Sequence, residues 1–326
     1  MLIGSYFKRI DPKYKSHYFS GLNFNSLNCQ KDNIFFAIKG NKINGNEYIA
    51  EAIKNGAKTI VSDQKFEGVK KNILYIKSTN VRKLLSEIAY SIHKNKPKNL
   101  IAVTGTNGKS SISDFYLQIL SLNKKKAASI GTLGINSGSY KKIANNTTLD
   151  PIELSTCLEK IKKQKINNVI LEASSHGLKQ HRLDGLEFKI GIFTNLSHDH
   201  LDYHKNLKDY FKSKLYLFEN LLKKNSNIIT DIEIPHYKSI KKIATKKKLN
   251  ISTIGKESGS LNMISHKYSE GKQLVEVKYK NRIYKFKTTL VGKIQIKNIL
   301  MAALASQKSG LKFEKIISTI HKIKPV

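Results

Sequence analysis

One junction constrains this chain more than any other: the apolar run Leu100-Ile101-Ala102-Val103-Thr104 passes directly into Gly105-Thr106-Asn107-Gly108-Lys109-Ser110-Ser111. The run is apolar and β-branched enough for a central strand, and beyond Ser110 the residues Ile112, Phe115, Leu117, Ile119 and Leu120 suit a helix. In such a turn the backbone N–H groups and the positive end of the helix dipole face the same point, which is how a polyphosphate is held. Lys109 adds charge toward the β- and γ-phosphates, and the Ser110 hydroxyl can ligate Mg²⁺. Val103 stands where the commoner loop has a further glycine, so this is the shorter Gly-x-x-Gly-Lys-Ser form. Gly-Lys-Ser alone arises by chance in a lysine-rich chain; the strand before it and the helix after it make the pattern specific.

With 326 residues and a hydrophobic fraction of 40%, the chain can supply two domains with a core each. No stretch approaches the roughly 18 apolar residues of a membrane span, and Met1 to Ile10 lacks the apolar centre of a secretion signal, so a cytoplasmic protein with no membrane insertion is expected, and a monomer is the separate expectation for its assembly. Cys29 and Cys157 form no motif and read as two buried thiols. The net charge of +34 raises the question of nucleic acid. Only four of the 58 basic residues are Arg, the residue that base-edge readout favours, and the lysines are scattered through every segment. That pattern argues for solvated surface, with attraction of anionic substrates as its consequence.

The fold class expected is α/β: a small N-terminal α/β domain over residues 1–97, then a phosphate-loop-containing, mostly parallel-sheet ATPase domain over 98–326. Ile34 to Ile38, Thr59 to Ser62 and Ile73 to Ile76 are strand-like, and Val81, Leu84, Leu85, Ile88, Ala89 and Ile92 follow helical spacing. Lys94 to Lys98, around Pro97, reads as a linker. Strands and helices then alternate. Asp150-Pro151-Ile152-Glu153 is a helix start with an N-cap carboxylate and a first-turn proline. Val169 to Glu172 and Ile190 to Asn195 are further strands; Leu274 to Tyr279 and Ile283 to Thr288 form an edge hairpin around Asn281. A helix from about Lys293 to Ser309 stops at Gly310, and a last one runs from Lys312 toward Ile323.

Four polar clusters accompany the loop. They are Asn145-Asn146-Thr147-Thr148; Glu172-Ala173-Ser174-Ser175-His176-Gly177-Leu178 with Gln180-His181-Arg182; Thr194-Asn195-Leu196-Ser197-His198-Asp199-His200-Leu201-Asp202-Tyr203-His204; and Lys214 within a Tyr/Phe-rich helix. Two of them begin at strand carboxyl ends, where open α/β sheets bind ligands. Glu172 and His200 could approach one divalent ion while Ser110 approaches another. Singly, each also reads as a strand-end carboxylate, a hydrogen-bonding histidine or a solvated lysine.

Together, in this order and at this spacing, the clusters resemble the Mur ligase family, and within it the branch that forms the UDP-N-acetylmuramoyl-tripeptide. The resemblance covers nearly the whole chain. It implies an ATP-dependent amide ligase acting on UDP-N-acetylmuramoyl-L-Ala-D-Glu, ATP and a diamino acid, meso-diaminopimelate by default and L-lysine as the other choice, with Mg²⁺ as cofactor. It implies that Gly105, Thr106, Asn107, Gly108, Lys109, Ser110, Ser111 and Asn298 contact ATP. Ser26, Asn41, Lys42, Ile43, Asn146, Thr147, Thr148, Ser174, Gln180 and Arg182 would contact the nucleotide-sugar peptide. Ser110, Glu172, His200 and Lys214, the last as a carbamate, would hold metal, with Lys109 and Lys214 catalytic.

The chain departs from the family near the N-terminus, where Asn25-Ser26-Leu27 replaces Asp-Ser-Arg, and at Gln295, where an asparagine is usual. It also stops at Val326, where members continue into a domain that binds the amino acid. The expectation from that ending is a chain that binds ATP and Mg²⁺ but makes no tripeptide alone. A folylpolyglutamate synthase-like ligase and a non-catalytic ATP- or nucleic-acid-binding remnant are the rival readings; the Ser-Ser-His-Gly-Leu and Gln-His-Arg blocks speak against the former.

Overall fold

A computed structural model of the chain describes residues 1–40, 43–138, 140–199 and 203–326. They fall into two compact units. The first comprises Met1–Lys94, Asp150–Cys157 and Gln180–Leu186; the second comprises Asn95–Leu149, Leu158–Lys179 and Glu187–Val326.

The first unit is built on β1 (Leu22–Asn23), β2 (Ile34–Phe36), β3 (Thr59–Ser62), β4 (Gly68–Lys70) and β5 (Ile73–Lys77), with α1 (Ile49–Lys54) and α2 (Val81–Ile92). The sheet order is β1-β2-β3-β5-β4, all parallel except β4 against β5. Strand alternation sorts the core into two faces. Ile34, Phe36, Val61, Leu74 and Ile76 pack with Val81, Leu85 and Ile88 of α2. Phe35, Ile60 and Ile73 point the other way, against Cys29 and Ala52. The segment Gln180–Leu186 is fastened here through α2: Ser86 Oγ donates to His181 O at 2.6 Å and Tyr90 Oη donates to Arg182 O at 2.6 Å.

The helix start expected at Asp150 is present as α4 (Pro151–Lys163), and Asp150 Oδ1 accepts from the N–H groups of Ile152 and Glu153, each at 3.0 Å. Asp150→Ala orphans both donors and should cost about 1 kcal/mol. Urea denaturation checks it; an unchanged midpoint would mean that other groups satisfy those N–H donors.

The second unit holds β6 (Asn99–Thr104), α3 (Lys109–Leu122), β7 (Ala127–Gly131), β8 (Gly134–Asn136), β9 (Lys141–Lys142), β10 (Asn168–Glu172), α5 (Ser175–Lys179) and β11 (Phe188–Phe193). It continues through α6 (Leu207–Tyr216), β12 (Leu222–Asp231), α7 (Tyr237–Lys247), β13 (Asn250–Gly255), β14 (Leu261–Ser269), β15 (Lys272–Tyr279), β16 (Arg282–Thr288), α8 (Lys293–Lys308) and α9 (Phe313–Thr319). One 11-stranded sheet runs β16-β15-β14-β13-β12-β11-β6-β10-β7-β8-β9. From β14 to β7 every pairing is parallel, and antiparallel strands finish both ends.

In β6, Ile101 and Val103 join a core with α3 and α8, while Leu100 and Ala102 are buried on the opposite face, as a strand covered on both sides requires. The edge hairpin turns through Lys280 and Asn281, both at positive φ (48° and 63°), the two-residue turn that suits strand twist. Gly310 at φ 94° follows α8. Beyond it α9 ends at Thr319 and the chain tightens into a 3₁₀ turn, so the last helix is shorter than its apolar spacing suggests.

Candidate active site

The phosphate-loop geometry lies wholly in the second unit. β6 delivers the chain to Gly105, where φ is 145° and an added Cβ would collide with Thr194 Oγ1. Gly108, at φ 88°, faces α8 so closely that a Cβ would stand 2.7 Å from Asn298 Oδ1. Both glycines are therefore obligatory. The end of β11 ties the loop down. Thr194 Oγ1 donates to Asn107 O at 2.6 Å, Asn107 N donates to Asn195 Oδ1 at 3.0 Å, and Ser197 N donates to Thr106 Oγ1 at 3.0 Å.

Lys109 opens α3, and its ammonium curls back to donate to Gly105 O at 3.0 Å and Thr106 O at 2.8 Å. Lys214, on α6, reaches the same Gly105 carbonyl at 2.7 Å while lying 4.2 Å from the centre of the Tyr210 ring. Two lysine side chains thus converge on one oxygen. Lys214 is only 1% exposed; burial, then the neighbouring charge of Lys109, lowers its pKa to about 6. Burial also lowers that of Lys109.

Glu172 ends β10 beside the loop, 2% exposed. Its carboxylate accepts from Ser110 Oγ, Thr132 N and Thr132 Oγ1, each at 3.1 Å. Burial raises its pKa, against the lowering influence of those hydrogen bonds and of Lys109. Gly131 makes room, since a Cβ there would strike the Glu172 carboxyl. Thr106 to Ser111, Thr132, Thr147, Glu172, Ser174, Ser175, Tyr210 and Lys214 line a cavity of about 300 Å³.

The remaining expected residues are placed as follows. Thr147 and Ser174 face the cavity, whereas Asn146 is exposed and does not line it. Thr148 is buried, and its hydroxyl donates to Glu172 O at 2.8 Å and accepts from Ser174 N at 2.9 Å, so it fastens the strand end internally. In the first unit, Ser26 is buried and donates to Glu51, Ile43 is exposed, and Arg182 Nε and Nη2 donate to Gln180 Oε1 at 3.1 and 2.9 Å. Asn41, Lys42 and His200 lie outside the described residues. Cluster reading missed Thr132; a Gly-Thr pair after a weakly apolar strand was its only signal. His204 is placed as a hydrogen-bonding histidine, its Nε2 3.0 Å from Ser175 Oγ, and burial lowers its pKa.

A largely parallel sheet with a glycine-rich strand-to-helix turn, a buried carboxylate at the next strand end and two lysine side chains, from α3 and α6, meeting at the turn defines an α/β protein with its site at the strand carboxyl ends. Comparison narrows the class, because the Mur ligase middle domain matches residues 103–306 and the Mur ligase family, catalytic domain, matches residues 18–93. The chain belongs to the Mur ligase family. It is 36% identical, over 97% of its length, to the UDP-N-acetylmuramoyl-L-alanyl-D-glutamate--2,6-diaminopimelate ligase of Rickettsia prowazekii, and spans 66% of that protein. A solved structure of an enzyme of that name superposes with a TM-score of 0.86 at 26% identity, covering 98% of this chain and 65% of the other. A MurF ligase from Thermotoga maritima in complex with ADP shares the fold at 19% identity and a TM-score of 0.62, covering 94% of this chain and 66% of the other. Among the described residues no helix is long and apolar enough to cross a membrane.

Proposed function

We propose that this chain carries the ATP- and nucleotide-sugar-binding parts of an ATP-dependent amide ligase that joins meso-diaminopimelate to UDP-N-acetylmuramoyl-L-Ala-D-Glu. The observation that carries the reading is the convergence of Lys109 and Lys214 on the loop beside buried Glu172; the 36% likeness to a ligase of that name supports the choice of substrate. The folylpolyglutamate synthase-like alternative has less support, because the sequence likeness favours the diaminopimelate ligases.

A carboxylate is a poor electrophile, since its charge is delocalised and oxide leaves badly. Transfer of the ATP γ-phosphoryl to the D-glutamate carboxylate gives an acyl phosphate; the incoming amine then forms the C–N bond as the C–O bond to phosphate breaks. In that sequence the first turn of α3 would orient the phosphates, and Lys109 would exchange the Gly105 and Thr106 carbonyls for β- and γ-oxygens. Ser110 and Glu172 would hold a hard cation through oxygen donors, a hydroxyl and a buried carboxylate, with the hydrogen bond between them giving way to the ion. Mg²⁺ bound there would screen phosphate charge. Lys214, with a pKa of about 6, is largely a neutral amine at pH 7, the form that adds CO₂ to become a carbamate.

In the first unit, Arg182 would pair with an anionic group of the nucleotide-sugar peptide. Its planar fork makes two parallel bonds that lysine cannot reproduce. Arg182→Lys should weaken binding of UDP-N-acetylmuramoyl-L-Ala-D-Glu by about tenfold, the equivalent of roughly one charge-assisted hydrogen bond, and leave ATP affinity unchanged. Calorimetric titration with each ligand tests this; equal loss of both would give Arg182 a structural role.

A further inference from the structure

The far end of α3 carries a second feature that the ligase reading does not use. α3 runs 14 residues from Lys109, so its carboxyl end lies about 20 Å from the phosphate loop. There a cavity of about 820 Å³ is lined by Lys124, Lys125, Lys126, Lys141, Lys322 and Lys324. The residues come from the α3–β7 turn, β9 and the last turn of the chain. Asp114 is the acidic residue of the lining, and its carboxylate accepts from Gln118 Nε2 at 2.5 Å. Gln118 also grips the backbone of Lys324 from both sides, donating to its O at 3.0 Å and accepting from its N at 2.9 Å. That clamp fixes the segment carrying Lys322 and Lys324 at the cavity.

We propose that this cavity binds a linear chain of condensed phosphates. Lysines from three separate elements line one cavity, a concentration of positive charge that favours an anion long enough to reach several of them. The negative end of the α3 dipole favours cations near its last turn, which accounts for lysines in the α3–β7 turn but not for those contributed by β9 and the chain's end. Lysine is a compact point charge that suits phosphate oxygens without demanding a fixed geometry. Among the described residues neither Arg nor an aromatic ring lines the cavity, which therefore offers no fork for base edges and no platform for stacking bases there. A phosphate chain without bases matches that chemistry better than nucleic acid.

The test must separate the cavity from the overall charge of +34. Lys124→Gln/Lys125→Gln/Lys126→Gln is compared with Lys241→Gln/Lys242→Gln/Lys246→Gln on α7, which removes the same charge from exposed helix positions. Long-chain inorganic polyphosphate is titrated against both and the unaltered chain, each carrying Lys109→Ala so that the phosphate loop does not compete. Circular dichroism confirms that all are folded. The cavity variant should bind at least tenfold more weakly, with a salt slope lowered by about two to three, and the α7 variant within twofold of the parent. Equal losses in the two variants would reduce the effect to bulk attraction and overturn the site. Tighter binding of single-stranded RNA than of polyphosphate, at matched charge and lost in the cavity variant, would overturn the ligand class.

Discussion

Lys109→Ala is expected to weaken ATP binding by at least about 10²-fold while leaving the fold intact. The ammonium makes two hydrogen bonds to loop carbonyls in this structure, and facing phosphate it would make as many charge-assisted ones, each worth roughly 1.5 to 3 kcal/mol. Two such bonds correspond to factors of about 10² to 10⁴. The side chain is half-buried and partly desolvated at rest, so its removal should change global stability little. Equilibrium binding of a non-hydrolysable ATP analogue, alongside a thermal melt, gives both quantities. Unchanged affinity would remove the phosphate-loop assignment.

The second large effect should appear in the pH dependence of stability and trace to Lys214. Its pKa falls from 10.5 to about 6 on folding. Between those values the unfolded chain holds a proton that the folded chain has released, so stability rises with pH. Below about pH 6 both states are protonated and the cost of the buried ammonium is fully present. From pH 6 to 8 the gain should be about 2 to 3 kcal/mol. Lys214→Met should abolish that part of the slope and be the more stable protein at pH 6, as read by urea denaturation in CO₂-free buffer. Parallel slopes in the two proteins would show that Lys214 does not titrate this way. With ¹³C-bicarbonate, a carbamate carbonyl resonance should appear in the unaltered chain and be missing from the variant.

Local rules made much of the fold legible. The helix α2 follows its apolar spacing from Val81 to Ile92, β3 coincides with Thr59 to Ser62, and Asp150 caps the helix that its sequence announces. The strand-to-helix turn at Gly105 was readable because two glycines and a lysine at one junction have few other uses. Harder to see was β7, since Ala127-Ala128-Ser129 carries little strand propensity and owes its place to β10. Thr132 was hidden with it. A hydroxyl in a polar run gives no sign of its internal partner, and the bond from Thr148 to Glu172 O could not be read from the sequence. Nor could spacing show that Lys141 and Lys322, far apart in sequence, line one cavity.

Because Asp150–Cys157 and Gln180–Leu186 belong to the first unit, that unit is not completed by its first 94 residues. During synthesis, Tyr90, wholly buried in the finished protein, has no acceptor at Arg182 until the chain has grown past that residue. Domains generally fold as units during synthesis, the amino-terminal one first. Here the α2 groups that bond His181 and Arg182 are without those acceptors while the strand, turn and helix around Gly105 emerge behind them. Translation therefore delivers the strand, turn and helix around Gly105 before the amino-terminal unit has all of its segments.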